Sequence, residues 1–268
     1  MNIAFTSLKN LFISEIQQEL ARHPVVEIGT IRETDIAHLP EPLKKYLEYC
    51  GYVNKMDAQN ARVIWQDVYL KPDPDKAWTK MDCLQFNSVA EPTRIVYMKS
   101  HIFGLIPFEG RDKCQEGKGS MLIRLLKYVT VANAHGKEMD ASALVTVLAE
   151  SIMVPGYTFR DYLTWTPIES RSCQARLQFN ETDVKGIFYF RESGEATHFV
   201  TDDRSYAAKG NEFKKRRWTV TFGAYAEKGG IRFPGSVTAS WNMEDGDEPY
   251  FKGNIVGMEL NVMKPSIR

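Results

Sequence analysis

The stretch between Asp140 and Pro155 most constrains the fold of this chain, because it reads as a helix that is apolar nearly all round. We expect Asp140 to cap its first amides and Pro155 to end its hydrogen-bond ladder. A helix without a wide polar face is normally buried. Glu150 is the one charged residue between Ala141 and Val154. The sequence therefore predicts a central helix over 140–155 that other elements enclose.

The segments on both sides of this helix have the character of β-strands. Beyond it, apolar and polar residues alternate in 173–179, 218–222 and 237–241, a pattern typical of an antiparallel sheet with one buried face. Before it, the predicted strands are 62–70, 78–87, 94–100, 102–109 and 121–131. We predict an α+β fold in which a strongly curved antiparallel sheet, a half-barrel, wraps the central helix. A closed ligand-binding barrel is the second choice.

The first part of the chain is helical in character. Leu8, Phe12, Ile16 and Leu20 form an amphipathic stripe, and a second short helix is predicted over 39–51. We therefore divide the chain into an N-terminal helical extension, 1–57, packed on a curved β domain, 58–268. A dimer contact and a membrane-surface contact are the alternatives for the stripe.

The charge balance gives no reason to expect a nucleic-acid partner. The chain has 34 basic and 34 acidic residues, and the basic run 214–217 is typical of a solvated strand edge. No stretch reads as a signal peptide or a transmembrane segment, and the four cysteines form no metal or redox motif. We predict a cytoplasmic protein with reduced thiols and no cofactor or metal. Its oligomeric state is left open.

Glu150 is the most informative polar residue, because a buried carboxylate needs a partner. It is either part of a structural ion pair or a polar anchor or acid–base group in a pocket. The candidate partners are Arg111, Arg124, Arg160, Arg176 and Arg204. An apolar cleft between sheet and helix would be lined by aromatic residues, for which the candidates are Trp65, Phe103, Phe108, Trp165 and Trp241.

Several short motifs occur in the order found in a bacterial family of unknown function. They are Asp112 with Gly117 and Gly119, Leu148-Ala149-Glu150 followed by Pro155, Trp165, and Phe233-Pro234 followed by Trp241. The chain resembles this family from about 61 to 260. It departs from the pattern at Thr146-Val147, where the family usually has Arg-Tyr. The resemblance implies a LolA-like (lipoprotein-carrier-like) half-barrel and carries no catalytic residues.

Three functional hypotheses follow. The first is a binding protein that holds a lipid or another hydrophobic small molecule in the cleft, where Glu150 and an arginine such as Arg204 orient its polar end. The second is an enzyme acting on such a molecule with Glu150 or Asp112 as the general acid or base. The third is a structural or interaction module with a solid core. A cleft on the concave side of the sheet separates the first two from the third.

Overall fold

The computed structural model describes residues 7–26, 28–71, 73, 75–102, 105–207 and 213–265. Its helices are α1 (Leu8–Arg22), α2 (Glu33–Ile36), α3 (Glu41–Tyr49) and α4 (Lys137–Glu150), and a short 3-10 helix (Pro155–Phe159) follows α4. The strands are β1 (Asn60–Leu70), β2 (Thr79–Ser88), β3 (Thr93–Ile102), β4 (Ile106–Gln115), β5 (Lys118–Leu125), β6 (Val129–His135), β7 (Leu163–Glu169), β8 (Ser172–Phe179), β9 (Thr182–Phe190), β10 (Ala196–Thr201), β11 (Ser205–Ala207), β12 (Phe213–Lys215), β13 (Trp218–Phe222), β14 (Tyr225–Lys228), β15 (Ile231–Pro234), β16 (Ser236–Met243) and β17 (Gly246–Leu260).

In this described part of the chain, one 13-stranded antiparallel sheet dominates the fold. Its strand order is β6-β5-β4-β3-β2-β1-β17-β16-β13-β10-β9-β8-β7. Register shifts interrupt the pairing of β1 with both of its neighbours, and such bulges bend and twist a sheet. No pairing between the edge strands β6 and β7 is found among the described residues, so the sheet is open. The predicted α+β half-barrel is confirmed, and the closed barrel is not formed.

Helix α4 lies inside the curve of this sheet. It contacts β4, β5 and β6 on one side and β8 and β9 on the other, so its apolar residues are enclosed as the sequence predicts. Leu144, Val145 and Leu148 are completely buried.

Two details of α4 differ from the prediction. The helix begins three residues earlier, after Gly136, and ends at Glu150. Asp140 does not cap it: one carboxylate oxygen accepts a hydrogen bond from the backbone amide of Gly119 at 2.8 Å, and the other pairs with Lys118. The carboxylate therefore ties the helix to β5. Asp140 thus accepts its backbone hydrogen bond from the Gly119 amide of β5 and not from an amide in the first turn of α4.

Helix α1 covers the opposite, convex face of the sheet. Leu8, Phe12 and Ile16 pack against side chains of β2, β3 and β5. At the helix centre the Glu15 carboxylate lies 2.9 Å from the Lys113 ammonium group. The amphipathic stripe is thus buried against the sheet.

One predicted strand is wrong. The segment 121–131 is not a single strand, because a turn at Leu126 and Lys127 divides it between β5 and β6. Both turn residues have positive φ, 51° and 67°, although neither is a residue type that favours that conformation. In contrast, the β4–β5 turn contains Gly117, whose φ of 73° is a conformation that glycine adopts readily. The missed turn has no signal in the sequence.

Among the described helices, none combines the length and the apolar character needed to cross a bilayer.

Candidate functional site

The Glu150 carboxylate lies at the centre of a buried polar network on the concave side of the sheet. One oxygen accepts a hydrogen bond from Arg94 Nε at 2.8 Å. The other accepts from Gln85 at 2.8 Å and from Asn87 at 3.2 Å. The carboxylate is 11% exposed, so these three donors replace water around it.

Arg94 links two carboxylates. Its Nη1 donates to Asp112 Oδ2 at 2.6 Å while its Nε is bonded to Glu150. Burial lowers the pKa of the guanidinium, but the attraction of Glu150 and Asp112 outweighs burial and raises that pKa above its usual value. Arg94 is therefore a permanent cation that holds two anions in place.

The network continues across β2 through side-chain amides. Gln85 accepts a hydrogen bond from the indole nitrogen of Trp65 at 2.9 Å. Asn87 donates to the hydroxyl of Tyr157 at 3.3 Å, and that hydroxyl donates to the Thr93 carbonyl at 2.7 Å. Because the members orient one another, the positions of Glu150 and Arg94 are set by the four strands β1 to β4 and the segment after α4.

A cleft of about 160 Å³ lies beside this network, between α4 and the strands β1, β13, β16 and β17. The charged and polar residues that line it are Arg94, Asp112, Thr146, Glu150 and Arg204. The remaining lining is mainly apolar and includes Met98, Met121, Met153, Val220, Phe222, Val237, Ala239 and Phe251. The side chains on the concave side of the sheet therefore do not fill it, and a cleft remains.

Arg204 forms part of the wall of the cleft opposite the Arg94 network. Its Nη1 donates to the Ser142 carbonyl at 2.8 Å and to the Thr146 hydroxyl, and its guanidinium carbon lies 4.4 Å from the ring centroid of Trp218. Its buried Nε has no hydrogen-bond partner. Among the residues that the structure describes, no carboxylate forms a salt bridge with Arg204. The cleft thus contains a cation held only by neutral groups and an aromatic face.

A second depression, of about 260 Å³, adjoins the cleft and shares Leu70 and Tyr250 with it. Trp241 lines this outer depression, where its ring stacks on Tyr250 at 5.8 Å between centroids. Leu70 and Tyr250 thus lie between the outer depression and the cleft beside the Arg94 network.

The residues predicted for the site fall into three groups. Glu150, Trp65 and Arg204 line the cleft, as does Asp112, and Trp241 lines the outer depression. Phe108 lies at a different depression on the sheet, and Trp165 packs on Phe188 in the core. Phe103 lies outside the described residues.

The predicted partners of Glu150 are wrong. None of the arginines proposed from the sequence, Arg111, Arg124, Arg160, Arg176 and Arg204, forms the ion pair, which is made by Arg94. Gln85 and Asn87 were also missed. The available signal was their spacing: two amide side chains at i and i+2 of a strand lie on one face, and polar residues on a buried face need partners.

No cysteine is among the described residues that line the cleft. Burial raises the pKa of the Cys114 thiol to about 12, so the group stays neutral near pH 7.

Both oxygens of Glu150 are occupied by donors, whereas Asp112 Oδ1 has no hydrogen-bond partner among the described residues. The network is thus built to hold charges in place around the cleft.

Comparisons with known proteins give a family and a structural neighbour. Residues 29–253 match the model of a family described as a family of unknown function (DUF6544), which confirms the predicted resemblance to such a family. No curated protein matches the chain. A solved LolA superfamily protein from Nitrosomonas europaea is similar with a TM-score of 0.40 and 10% identity, over 82% of this chain and 91% of that chain.

Proposed function

The chain belongs to the family of unknown function DUF6544, and since membership brings no activity with it, we propose a function from the cleft: the protein binds a hydrophobic small molecule or the apolar end of a lipid between the sheet and α4. The observation that carries this proposal is an apolar cleft of about 160 Å³ that ends at the charged network around Arg94. Such pockets, mostly apolar with a few fixed polar groups, are the usual form of small-molecule sites.

The size of the cleft limits the ligand. An enclosed apolar cavity of about 150 Å³ is enough to hold benzene, so the inner cleft accommodates one ring or a short aliphatic segment. A longer molecule would extend into the outer depression of about 260 Å³, past Tyr250 and Trp241. The whole acyl chain of a lipid does not fit in the inner cleft alone.

Arg204 is the residue we propose as the anchor for a polar end. Arg94 already serves two carboxylates, and Glu150 accepts three hydrogen bonds, so neither has its charge free for a ligand. Arg204 bonds only neutral oxygens and has a buried Nε without a partner. An anionic group such as a carboxylate would satisfy it. The enzyme alternative would use Asp112, the cleft carboxylate with an unpaired oxygen.

We expect the purified protein to carry a small molecule that survives native mass spectrometry and is recovered by solvent extraction. We also expect 4-fluorobenzoate to bind, and to bind more tightly than neutral fluorobenzene, as measured by 19F NMR titration. Replacing Ala239 by leucine fills the cleft from β16 and should abolish both the co-purifying molecule and probe binding. Arg204→Gln should remove the preference for the charged probe and leave fluorobenzene binding in place.

A matched alanine controls for the fold. Ala175 is completely buried on β8 but does not line the cleft. Ala175→Leu should therefore overpack the core and cost about 1–3 kcal/mol of unfolding free energy, whereas Ala239→Leu enters empty space and should cost less. The binding hypothesis fails if the wild-type protein carries no molecule and binds neither probe. If Ala239→Leu lowers the free energy of unfolding as much as Ala175→Leu does, the cleft is closed in solution.

A further inference from the structure

The tips of two neighbouring hairpins present apolar side chains to water at one corner of the sheet. The exposed residues at the β3–β4 tip are Leu105 and Ile106, and those at the β5–β6 tip are Leu126, Tyr128 and Val129. Leu105 is 83% exposed and Tyr128 is 66% exposed, so they contribute little to the core. We call these five residues the tip patch. Exposed apolar groups gathered in one place mark an interaction surface more often than scattered ones do.

Backbone contacts hold the two tips side by side. The amide of Leu126 donates to the carbonyl of Pro107 at 2.9 Å, and Phe108 pairs with Leu125 in the β4–β5 ladder. The apolar residues of both hairpins therefore belong to one surface.

Leu126 is an unfavourable residue for its position on two counts. Its φ is 51°, in the left-handed region that costs a leucine energy, and its side chain is 54% exposed. Asparagine or glycine would suit this left-handed backbone conformation better. Leu126 therefore serves neither the backbone conformation nor the core, and exposed apolar area is what its side chain adds.

Lysine side chains lie beside the tip patch. Lys9, Lys99 and Lys127 line a depression of about 300 Å³ there. The carboxylate there, Glu109, is buried and accepts a hydrogen bond from the Tyr97 hydroxyl at 2.9 Å, and Lys99 also pairs with Asp82 at 3.2 Å. Segments 99–108 and 125–135 contain no Asp or Glu in the sequence. This corner is thus basic, although the charges of the chain as a whole balance.

We propose that the tip patch inserts into the surface of an anionic phospholipid bilayer while Lys127, Lys99 and Lys9 contact the headgroups. Leu105, Leu126 and Tyr128 lie in the turns, and Ile106 and Val129 begin the strands that follow, so these apolar groups stand together at one end of the sheet. A tyrosine and aliphatic residues with lysines nearby are the side-chain combination found where proteins meet a membrane interface. This contact is independent of what the cleft binds.

The test is co-sedimentation of the full chain with vesicles of phosphatidylglycerol and phosphatidylcholine in equal parts, compared with pure phosphatidylcholine. We expect binding to the anionic vesicles, weaker binding to the neutral ones, and loss of binding as salt rises from about 0.1 M to about 0.5 M. Leu126→Asn should weaken vesicle binding by about tenfold or more, because it removes one apolar side chain that the bilayer would bury. The same change should not destabilise the fold, since asparagine favours the left-handed turn. Lys127→Glu should weaken binding by about fivefold or more.

Ile168→Asn is the matched control, because Ile168 is also exposed, at 46%, on the opposite edge strand β7. It should leave vesicle binding unchanged. Absence of binding to the anionic vesicles overturns the proposal. An equal loss of vesicle binding in the Leu126→Asn and Ile168→Asn variants also overturns it. Sedimentation velocity provides a further outcome: a concentration-dependent dimer that Leu126→Asn abolishes assigns the tip patch to a second copy of the chain instead.

Discussion

Replacing Arg94 by methionine is expected to lower the free energy of unfolding by about 3–5 kcal/mol, because it leaves two carboxylates without their shared cation inside the sheet. Arg94 is 13% exposed, and its partners Glu150 and Asp112 are 11% and 23% exposed. Methionine is shorter than arginine but retains an unbranched apolar stem of similar bulk, so the loss reports the missing charge and hydrogen bonds more than missing volume. The measurement is a urea titration followed by circular dichroism.

An exposed arginine pair provides the control for this prediction. Arg176 makes two hydrogen bonds to Asp183, at 2.9 and 2.6 Å, but the side chains are 52% and 43% exposed. Arg176→Met should therefore change the free energy of unfolding by about 1 kcal/mol or less. If Arg94→Met costs no more than Arg176→Met, the buried network does not stabilise the fold as described.

A rescue variant identifies the origin of the loss. Adding Glu150→Gln and Asp112→Asn to Arg94→Met removes both uncompensated charges while keeping side chains of similar size. We expect the triple variant to recover part of the lost stability, because a buried anion without a partner costs more than a buried amide. No recovery would mean that the methionine disturbs packing instead.

The main architecture could be predicted from the sequence because it rests on local patterns. The all-round apolar character of 140–155 requires burial, and two-residue alternation requires a sheet with one buried face. An error in one predicted boundary, such as the start of α4 at Lys137 instead of Asp140, does not change the fold that these patterns predict. The predicted domain limits and the predicted set of site residues stay predictions, because the fold alone does not test them.

The charged network could be predicted only in part. The need of Glu150 for a partner follows from its position on a buried helix, whereas the choice of Arg94 depends on strand register. Asn87 lies opposite Arg94 in the β2–β3 ladder, and Asp112 lies opposite Val96 in the β3–β4 ladder. A shift of one residue would turn these side chains to the convex face. No local pattern fixes that register.

Turn chemistry explains the other miss. Hairpins with glycine, such as the one at Gly117, are recognisable because the residue type matches the backbone conformation. The turn at Leu126 and Lys127 has the same left-handed conformation with residues that disfavour it. Sequence reasoning fails where the chain departs from its local preferences, and in this protein the departure coincides with the exposed tip patch.

Substituting alanine for Gly156 is expected to cost about 3 kcal/mol of unfolding free energy, the upper end of what overpacking causes. Gly156 lies in the 3-10 helix after α4, where a Cβ atom would come within 1.8 Å of the Ala58 carbonyl oxygen and 3.1 Å of Asp57 Oδ1. Both neighbours are fixed, because Ala58 is completely buried and Asp57 pairs with Arg160 at 2.7 Å. The clash is with backbone, so no side-chain rotation relieves it.

Gly29→Ala is the matched control, since a Cβ atom there meets nothing within 4 Å. It should be neutral or stabilising by up to about 1 kcal/mol, because alanine restricts the unfolded chain. The contact at Gly156 joins the entry to β1 to the segment that carries Met153 into the cleft. A folded Gly156→Ala protein should therefore also bind 4-fluorobenzoate more weakly, because relief of the clash moves that segment relative to the sheet. Equal stability of the two alanine variants would show that β1 and the 3-10 helix are not in close contact in solution.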